Sequence, residues 1–238
     1  MGITSGTRAG TSSLPVERIG HRGAPRELLE NTLPSFERAL ERGADAIELD
    51  VHTSSDGVVV VHHDATLERV ADSSYQGRAL NELPWSALRG LALAPGFSIP
   101  TLAEVLDFVQ GRARLYVELK GAGIEAAVVE VVRRSRATCA LHSFDAGSIA
   151  RAAVLAPRLR RGILLERLPP DPVATMRAVS AIDLWPDWRI IRPALVDAVH
   201  AAGGRVIAWT VNDATNAARL AHIGVDGICS DDVRLLSM

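Results

Sequence analysis

Two cysteines among 238 residues exclude a disulfide framework. Cys139 and Cys229 each sit inside an apolar run and read as buried thiols. No run approaches the ~20 apolar residues of a spanning helix, so no stable membrane insertion is expected. The first fifteen residues, MGITSGTRAGTSSLP, lack the apolar segment of a secretory signal. Their Gly, Ser and Thr content reads as a flexible tail over 1–14, and the chain is expected to be cytoplasmic. MGITSG formally fits a myristoylation pattern, but so short a pattern carries little weight. Lys and Arg total 26 against 28 Asp and Glu, a formal charge of −2, so the basic footprint of a nucleic-acid binder is missing. That balance leaves an anionic substrate open, because local arginines and lysines can still make a positive pocket. What the chain does have is 47% hydrophobic residues, enough for one sizeable core.

Short apolar, β-branched runs alternate with longer amphipathic ones from end to end. Strands are expected at 16–21, 44–50, 114–120, 138–144, 161–166, 181–185, 205–211 and 226–230, each leading into a helical pattern. The first helix, within NTLPSFERALERG, has Asn31 or Thr32 as its cap, Pro34 in its first turn and Gly43 as its stop. Eight such units in one chain predict an α/β fold, a (β/α)8 TIM-type barrel occupying 15–238 as a single domain. An open doubly wound sheet is the structural alternative, with fewer units.

One stretch interrupts the alternation. IELDVH is followed by TSSDG and then VVVVHH, the signature of a β-hairpin extending the second strand. From Ala65 to Ser98 the chain then carries turn residues and is expected to cross over the C-terminal face, where loops of such barrels bind and react.

Glu48 and Asp50 are two apart on a strand, hence on one face, and paired carboxylates at a strand's C-terminal end suit a hard cation such as Mg²⁺ or Ca²⁺. The plainer reading is one salt-bridged and one solvated carboxylate. A two- or four-residue hairpin loop brings His63 opposite this pair, and an odd-numbered loop brings His62 instead. His21 ends the first strand and can face the same mouth. His52 and His62 read as packing or exposed residues on the hairpin; His142, His200 and His222 read as structural. Glu118 and Lys120 repeat the i, i+2 spacing at the end of the third strand, as an oxygen ligand and a point charge for an anion. Arg22 presents a fork that matches phosphate oxygens. Cations, carboxylates and proton carriers around one point describe phosphoester chemistry.

With these residues in view, the chain resembles the glycerophosphodiester phosphodiesterase family, the phospholipase C-like barrel phosphodiesterases. The likeness runs from about His21 to Asp231, through HRG, ENTLPSFERALERGADAIELDVHTSSDG, VVVVHHD, IPTLAEVL, ELK, SFD, WTVN and GVDGICSD. It implies hydrolysis of a small-molecule glycerophosphodiester to sn-glycerol 3-phosphate and an alcohol. It implies His21 and His63 as general acid and base, His63 being chosen because the family's histidine directly precedes Asp64. It implies one divalent cation, Mg²⁺ or Ca²⁺, on Glu48, Asp50 and Glu118. Arg22 and Lys120 would hold the phosphate, and Trp209 would line the substrate pocket unless it is a core tryptophan. Glu30 is expected near the mouth, with Asn31 and Thr32 as caps.

The chain departs from the family in SDDV, which keeps Asp231 without the usual proline and should alter only a loop. Segment 65–98 has no room for a separate insertion domain. LWPDWRIIRP has no evident counterpart, and Trp185 and Trp188 are expected at the rim. A lysophospholipase D-like activity on acyl-bearing substrates and a non-catalytic phosphate-ester-binding barrel are the alternatives. An HD-type phosphohydrolase fits poorly, since its ligands belong on helices and VVVVHHD is strand-like.

Overall fold

The computed structural model describes residues 16–68 and 72–236, so the expected tail at 1–14 lies outside the described residues. Among the described residues eleven strands occur in chain order. They are β1 (Glu17–His21), β2 (Ala46–Thr53), β3 (Val59–Val61), β4 (Ala92–Ala94), β5 (Phe97–Ser98), β6 (Arg114–Leu119), β7 (Cys139–Ser143), β8 (Arg160–Leu165), β9 (Asp183–Pro186), β10 (Arg205–Ala208) and β11 (Gly227–Ser230). The main sheet runs β1-β11-β10-β9-β8-β7-β6-β2-β3, and β1 also pairs with β2, which closes it. Eight of these strands are mutually parallel and form the barrel, at the places the alternation gives them, with ends shifted by a few residues.

Alternation along each strand sorts the side chains into two cores. Ile19, Ala46, Tyr116, Ala140, Leu164, Trp185, Ile207 and Cys229 fill the barrel interior. The intervening residues, Ile47, Leu49, Leu115, Val117, Leu141 and Ile163 among them, pack outward against the helices. Gly162 makes the interior layer possible: a Cβ there would sit 2.8 Å from the Trp185 ring. Below that layer, Glu17 accepts from Arg114 (2.9 Å), Arg205 (2.6 Å) and the Tyr116 hydroxyl (2.8 Å). Arg160 grips the fully buried Asp183 through two bonds of 2.6 Å. These inward charges are paired, as burial demands, and they close the N-terminal end of the barrel. Both cysteines are buried and free, as expected.

Helices α1 (Leu33–Glu41), α2 (Trp85–Leu88), α3 (Leu102–Val109), α4 (Glu125–Arg134), α5 (Ala146–Leu155), α6 (Pro172–Ala178), α7 (Pro193–Ala201) and α8 (Ala214–His222) follow the strands. Thr101 and Glu104 form a reciprocal capping box on α3, and Asp145, Asp171 and Asp213 cap α5, α6 and α8. The cap expected for α1 is different. Thr32 holds the N-cap position, but its hydroxyl donates back to the Leu29 carbonyl (2.6 Å) and makes no cap bond. Asn31 is turned away altogether, toward the barrel.

The hairpin register decides between the two loop parities that the sequence leaves open. Thr53 pairs with Val59 and Val51 with Val61, leaving a five-residue loop, Ser54–Val58. Ser54 folds that loop, its hydroxyl accepting from Val58 N (2.9 Å) and donating to Asp56 (2.6 Å). The odd loop puts His62, not His63, opposite Asp50, and His62 N donates to the Asp50 carbonyl (3.0 Å). Segment 65–98 holds more structure than turns alone: α2, the β4–β5 ribbon and two 3₁₀ turns. Its Leu67, Leu80, Leu83, Leu88 and Leu91 form a small apolar cluster with Val60 and Ile99. No helix among the described residues is long and apolar enough to cross a membrane.

Candidate active site

The C-terminal ends of the strands surround a cavity of about 210 Å³ whose lining includes His21, Arg22, Glu48, His63, Glu118 and Lys120. Trp209 lines it too. Asp50 lies beside this group, within 3.1 Å of Arg22 Nε and 3.6 Å of Lys120 Nζ. Parallel pairing brings the residues to one level. His21 is the register partner of Glu48, Asp50 of Glu118, and Glu118 of His142.

Each of the two mouth histidines has a carboxylate on its Nδ1. His21 Nδ1 is 2.6 Å from Asp231 Oδ1, and His63 Nδ1 is 2.7 Å from Asp64 Oδ1. Such bonds fix the ring and leave Nε2 for other partners. Asp231 is itself held by Asn212, which donates to Oδ2 (2.6 Å) and accepts from the Asp231 backbone N–H (3.0 Å). Burial opposes a charge on His21, but the Asp231 bond and the nearby Glu48 outweigh it and raise its pKa. His63 reaches the site although the ladder register favoured His62. The ladder ends at Val61, so pleat parity no longer governs the residues after it. His52, buried rather than exposed, contacts the His63 carbonyl through Nε2 (3.1 Å) and anchors the turn.

Charge is unevenly distributed. Arg22 and Lys120 face Glu30, Glu48, Asp50 and Glu118, four carboxylates against two cations. Arg22 adopts φ 53, and its amide N–H donates to Glu48 (3.1 Å) while Nη1 reaches Glu30 (3.3 Å). Lys120 Nζ stands 3.0 Å from Glu118. Burial, with Asp50 beside it, pushes Glu118 up to about 7. Glu48 moves the other way: burial would raise it, but His142, His21 and Arg22 hold it well below the usual carboxylate range. With all four carboxylates ionised the group carries two negative charges beyond its two cations, and one divalent cation would balance them. Asp50 Oδ1 is fully buried without a hydrogen bond, a further acceptor open to such an ion. The donor set therefore fits a hard divalent cation.

Several residues here escaped sequence reasoning. His142 is 1% exposed and set 3.5 Å from Glu48 Oε1, inside the cavity lining, so the structural role expected for it is too narrow. Asn31, expected to cap a helix, bonds Asp50 twice: Nδ2 donates to Oδ2 (2.8 Å) and Oδ1 accepts from the Asp50 N–H (3.3 Å). Phe144 packs edge-on against Trp209 at 5.3 Å, and Glu166 also lines the cavity. Trp185, expected at the rim, is instead inside the barrel against His142 (4.5 Å), because Asp183 and Trp185 take the inward positions of β9. Trp188 packs against the outer core. A compositional signal was available for Lys120: it is the single lysine in a chain whose other basic residues are all arginine. His200, bonded to Asp226 (2.9 Å), and His222 lie exposed on helices, away from the cavity lining.

Comparison with known proteins places this arrangement. A glycerophosphodiester phosphodiesterase of Caldanaerobacter subterraneus subsp. tengcongensis is 31% identical, over 92% of this chain and 95% of the relative. The Oleispira antarctica phosphodiesterase, solved in complex with the product sn-glycerol-3-phosphate, superposes with a TM-score of 0.85 at 26% identity, covering 94% of this chain and 95% of its own. A glycerophosphodiester phosphodiesterase of Agrobacterium tumefaciens superposes at 0.83 with 28% identity, over 93% and 98% of the two chains. The profile of the glycerophosphoryl diester phosphodiesterase family matches residues 21–235, nearly the whole barrel, and the chain belongs to that family.

Proposed function

We propose that this phosphodiesterase hydrolyses glycerophosphodiesters to sn-glycerol 3-phosphate and an alcohol, with His21 and His63 as acid and base. One observation carries the reading: two histidines, each with Nδ1 on its own carboxylate, line the same cavity as Glu48, Glu118, Arg22 and Lys120. One histidine takes the proton of the attacking hydroxyl as the new P–O bond forms. The other gives a proton to the alkoxide as the P–O bond to the alcohol breaks. Arg22 and Lys120 orient the phosphoryl oxygens, and Trp209 with Phe144 bounds the space beside them. A divalent cation, Mg²⁺ or Ca²⁺, held by Glu48, Asp50 and Glu118 supplies charge neutralisation at the phosphoryl group. The product named for the Oleispira relative agrees with this substrate class.

The test is release of glycerol 3-phosphate from glycerophosphocholine, glycerophosphoethanolamine and glycerophosphoglycerol. Purified protein is stripped of metal and then given Mg²⁺ or Ca²⁺. Cation-dependent release, abolished in His63→Ala and Glu48→Gln, is expected. Folded protein that releases nothing with either ion would refute the reading.

A further inference from the structure

The ligand set proposed above is all oxygen, yet among the described residues the donor atoms that converge belong to a different set. Glu48, Glu118 and His142, all buried, each offer an atom within 4.8 Å of the others. Donors around one cation with bonds of ~2.1 to ~2.4 Å stand ~3.0 to ~4.8 Å apart. Asp50 is outside this cluster; its Oδ2 is held by Asn31 and Arg22. Building on the metallophosphodiesterase reading, we propose that His142 ligates the cation through Nε2, and that the site therefore favours first-row transition ions over Ca²⁺.

The ring is placed for that role by packing. Its register partner is Glu118 on β6, so the two side chains share a level and a face. Trp185 lies against the ring at 4.5 Å and Tyr116 stacks at 6.3 Å, which gives the imidazole a rigid wall. Trp185 in turn occupies the space that Gly162 leaves free. Nδ1 is buried without a hydrogen-bond partner, so no second bond sets the ring's orientation. Nε2 is the nitrogen turned to Glu48, at 3.5 Å, a distance at the outer limit for a hydrogen bond. Ligation through Nε2 puts the ring proton on Nδ1. Imidazole suits later first-row ions such as Co²⁺, Ni²⁺ and Zn²⁺, whereas Ca²⁺ takes oxygen donors, so one nitrogen shifts the preference of an otherwise carboxylate site.

Metal-stripped full-length protein would be titrated with Mn²⁺, Co²⁺ and Ca²⁺ by calorimetry, and its Mn²⁺ complex probed by pulsed EPR for directly bound nitrogen. The expected result is one site with a ¹⁴N coupling that persists in His63→Ala and His21→Ala and disappears in His142→Gln. The preference for Co²⁺ over Ca²⁺ should fall about tenfold or more in His142→Gln. A wild-type spectrum without bound nitrogen overturns the inference even if His142→Gln fails to fold, and so does a coupling that survives in that variant. If the wild type binds none of the three cations, the metal-dependent reading fails as well; if it binds them through oxygen alone, only the ligand role of His142 falls.

Discussion

Asn31 offers the sharpest check on how the site is held together, because its contribution can be worked from geometry. β1 ends at His21, opposite Glu48, so the edge of β2 beyond that point has no β1 partner. The Asn31 carboxamide fills the gap, accepting from the Asp50 N–H and donating to its carboxylate. Both residues are at most 1% exposed, so water cannot replace what is removed. In Asn31→Ala a buried N–H loses its acceptor, costing about 1–3 kcal/mol, and the carboxylate loses a charge-assisted bond worth about 1.5–3 kcal/mol. Asn31 also sits at φ 57, where a residue with a Cβ and no polar side chain costs a further 1–2 kcal/mol or so. The expected loss is about 3.5–8 kcal/mol, a large share of a typical domain's stability of roughly 5–15 kcal/mol. Asn31→Gly removes the same hydrogen bonds without the backbone penalty and should be more stable than Asn31→Ala by about 1 kcal/mol. Urea unfolding of the three proteins with a common m-value measures both differences. A loss below about 1 kcal/mol in Asn31→Ala, or Gly less stable than Ala, would refute the account.

Asp231→Asn keeps the shape of the group on His21 but removes its charge. It is expected to lower kcat by about a hundredfold or more with little change in KM, and to move the His21 limb of the pH profile to lower pH; an unmoved profile counts against the positioning role. Burial, with Asp183 and Glu17 nearby, pushes the Tyr116 hydroxyl up to about 12 from the ordinary 10.0. Between those values the unfolded chain gives up a proton that the folded chain keeps. Stability is therefore full below about pH 10 and falls by ~2–3 kcal/mol through that window. Tyr116→Phe should flatten this alkaline loss, as thermal melts from pH 9 to 12 would show. Gly162→Ala puts a methyl 2.8 Å from the Trp185 ring. It should cost about 1–3 kcal/mol in urea unfolding, with a changed near-ultraviolet circular dichroism signal from the tryptophan; a neutral result would mean the interior layer is loosely packed.

How far the molecule could be read from its sequence depended on whether the controlling interaction was local. The eight barrel strands and their helices were legible because period-two and period-3.6 patterns report burial directly, and the Thr101 box and the Asp145, Asp171 and Asp213 caps are local devices. Glu48, Asp50, Glu118 and Lys120 were legible for the same reason, since strand parity alone fixes their face. Parity left His63 and His62 both open. The loop came out odd and the ladder pointed to His62, while His63 reaches the cavity only because pairing stops at Val61. The motif HHD singled it out where arithmetic left two candidates.

His142 and Asn31 were misread for a related reason. Each looked ordinary in its own element, a histidine inside an apolar strand and an asparagine before a helix. What makes them part of the site is the partner that closure of the barrel brings: Glu48 from two strands away for His142, and the unpaired edge of β2 for Asn31. The same parity that located Glu118 on β6 would have located His142, had the strands been laid side by side. Pairing Glu118 with the inward residue at the same height on β7 gives His142 at once. Inward polar residues in a closed barrel are thus best judged across neighbouring strands. A histidine level with two buried carboxylates belongs to their chemistry until shown otherwise.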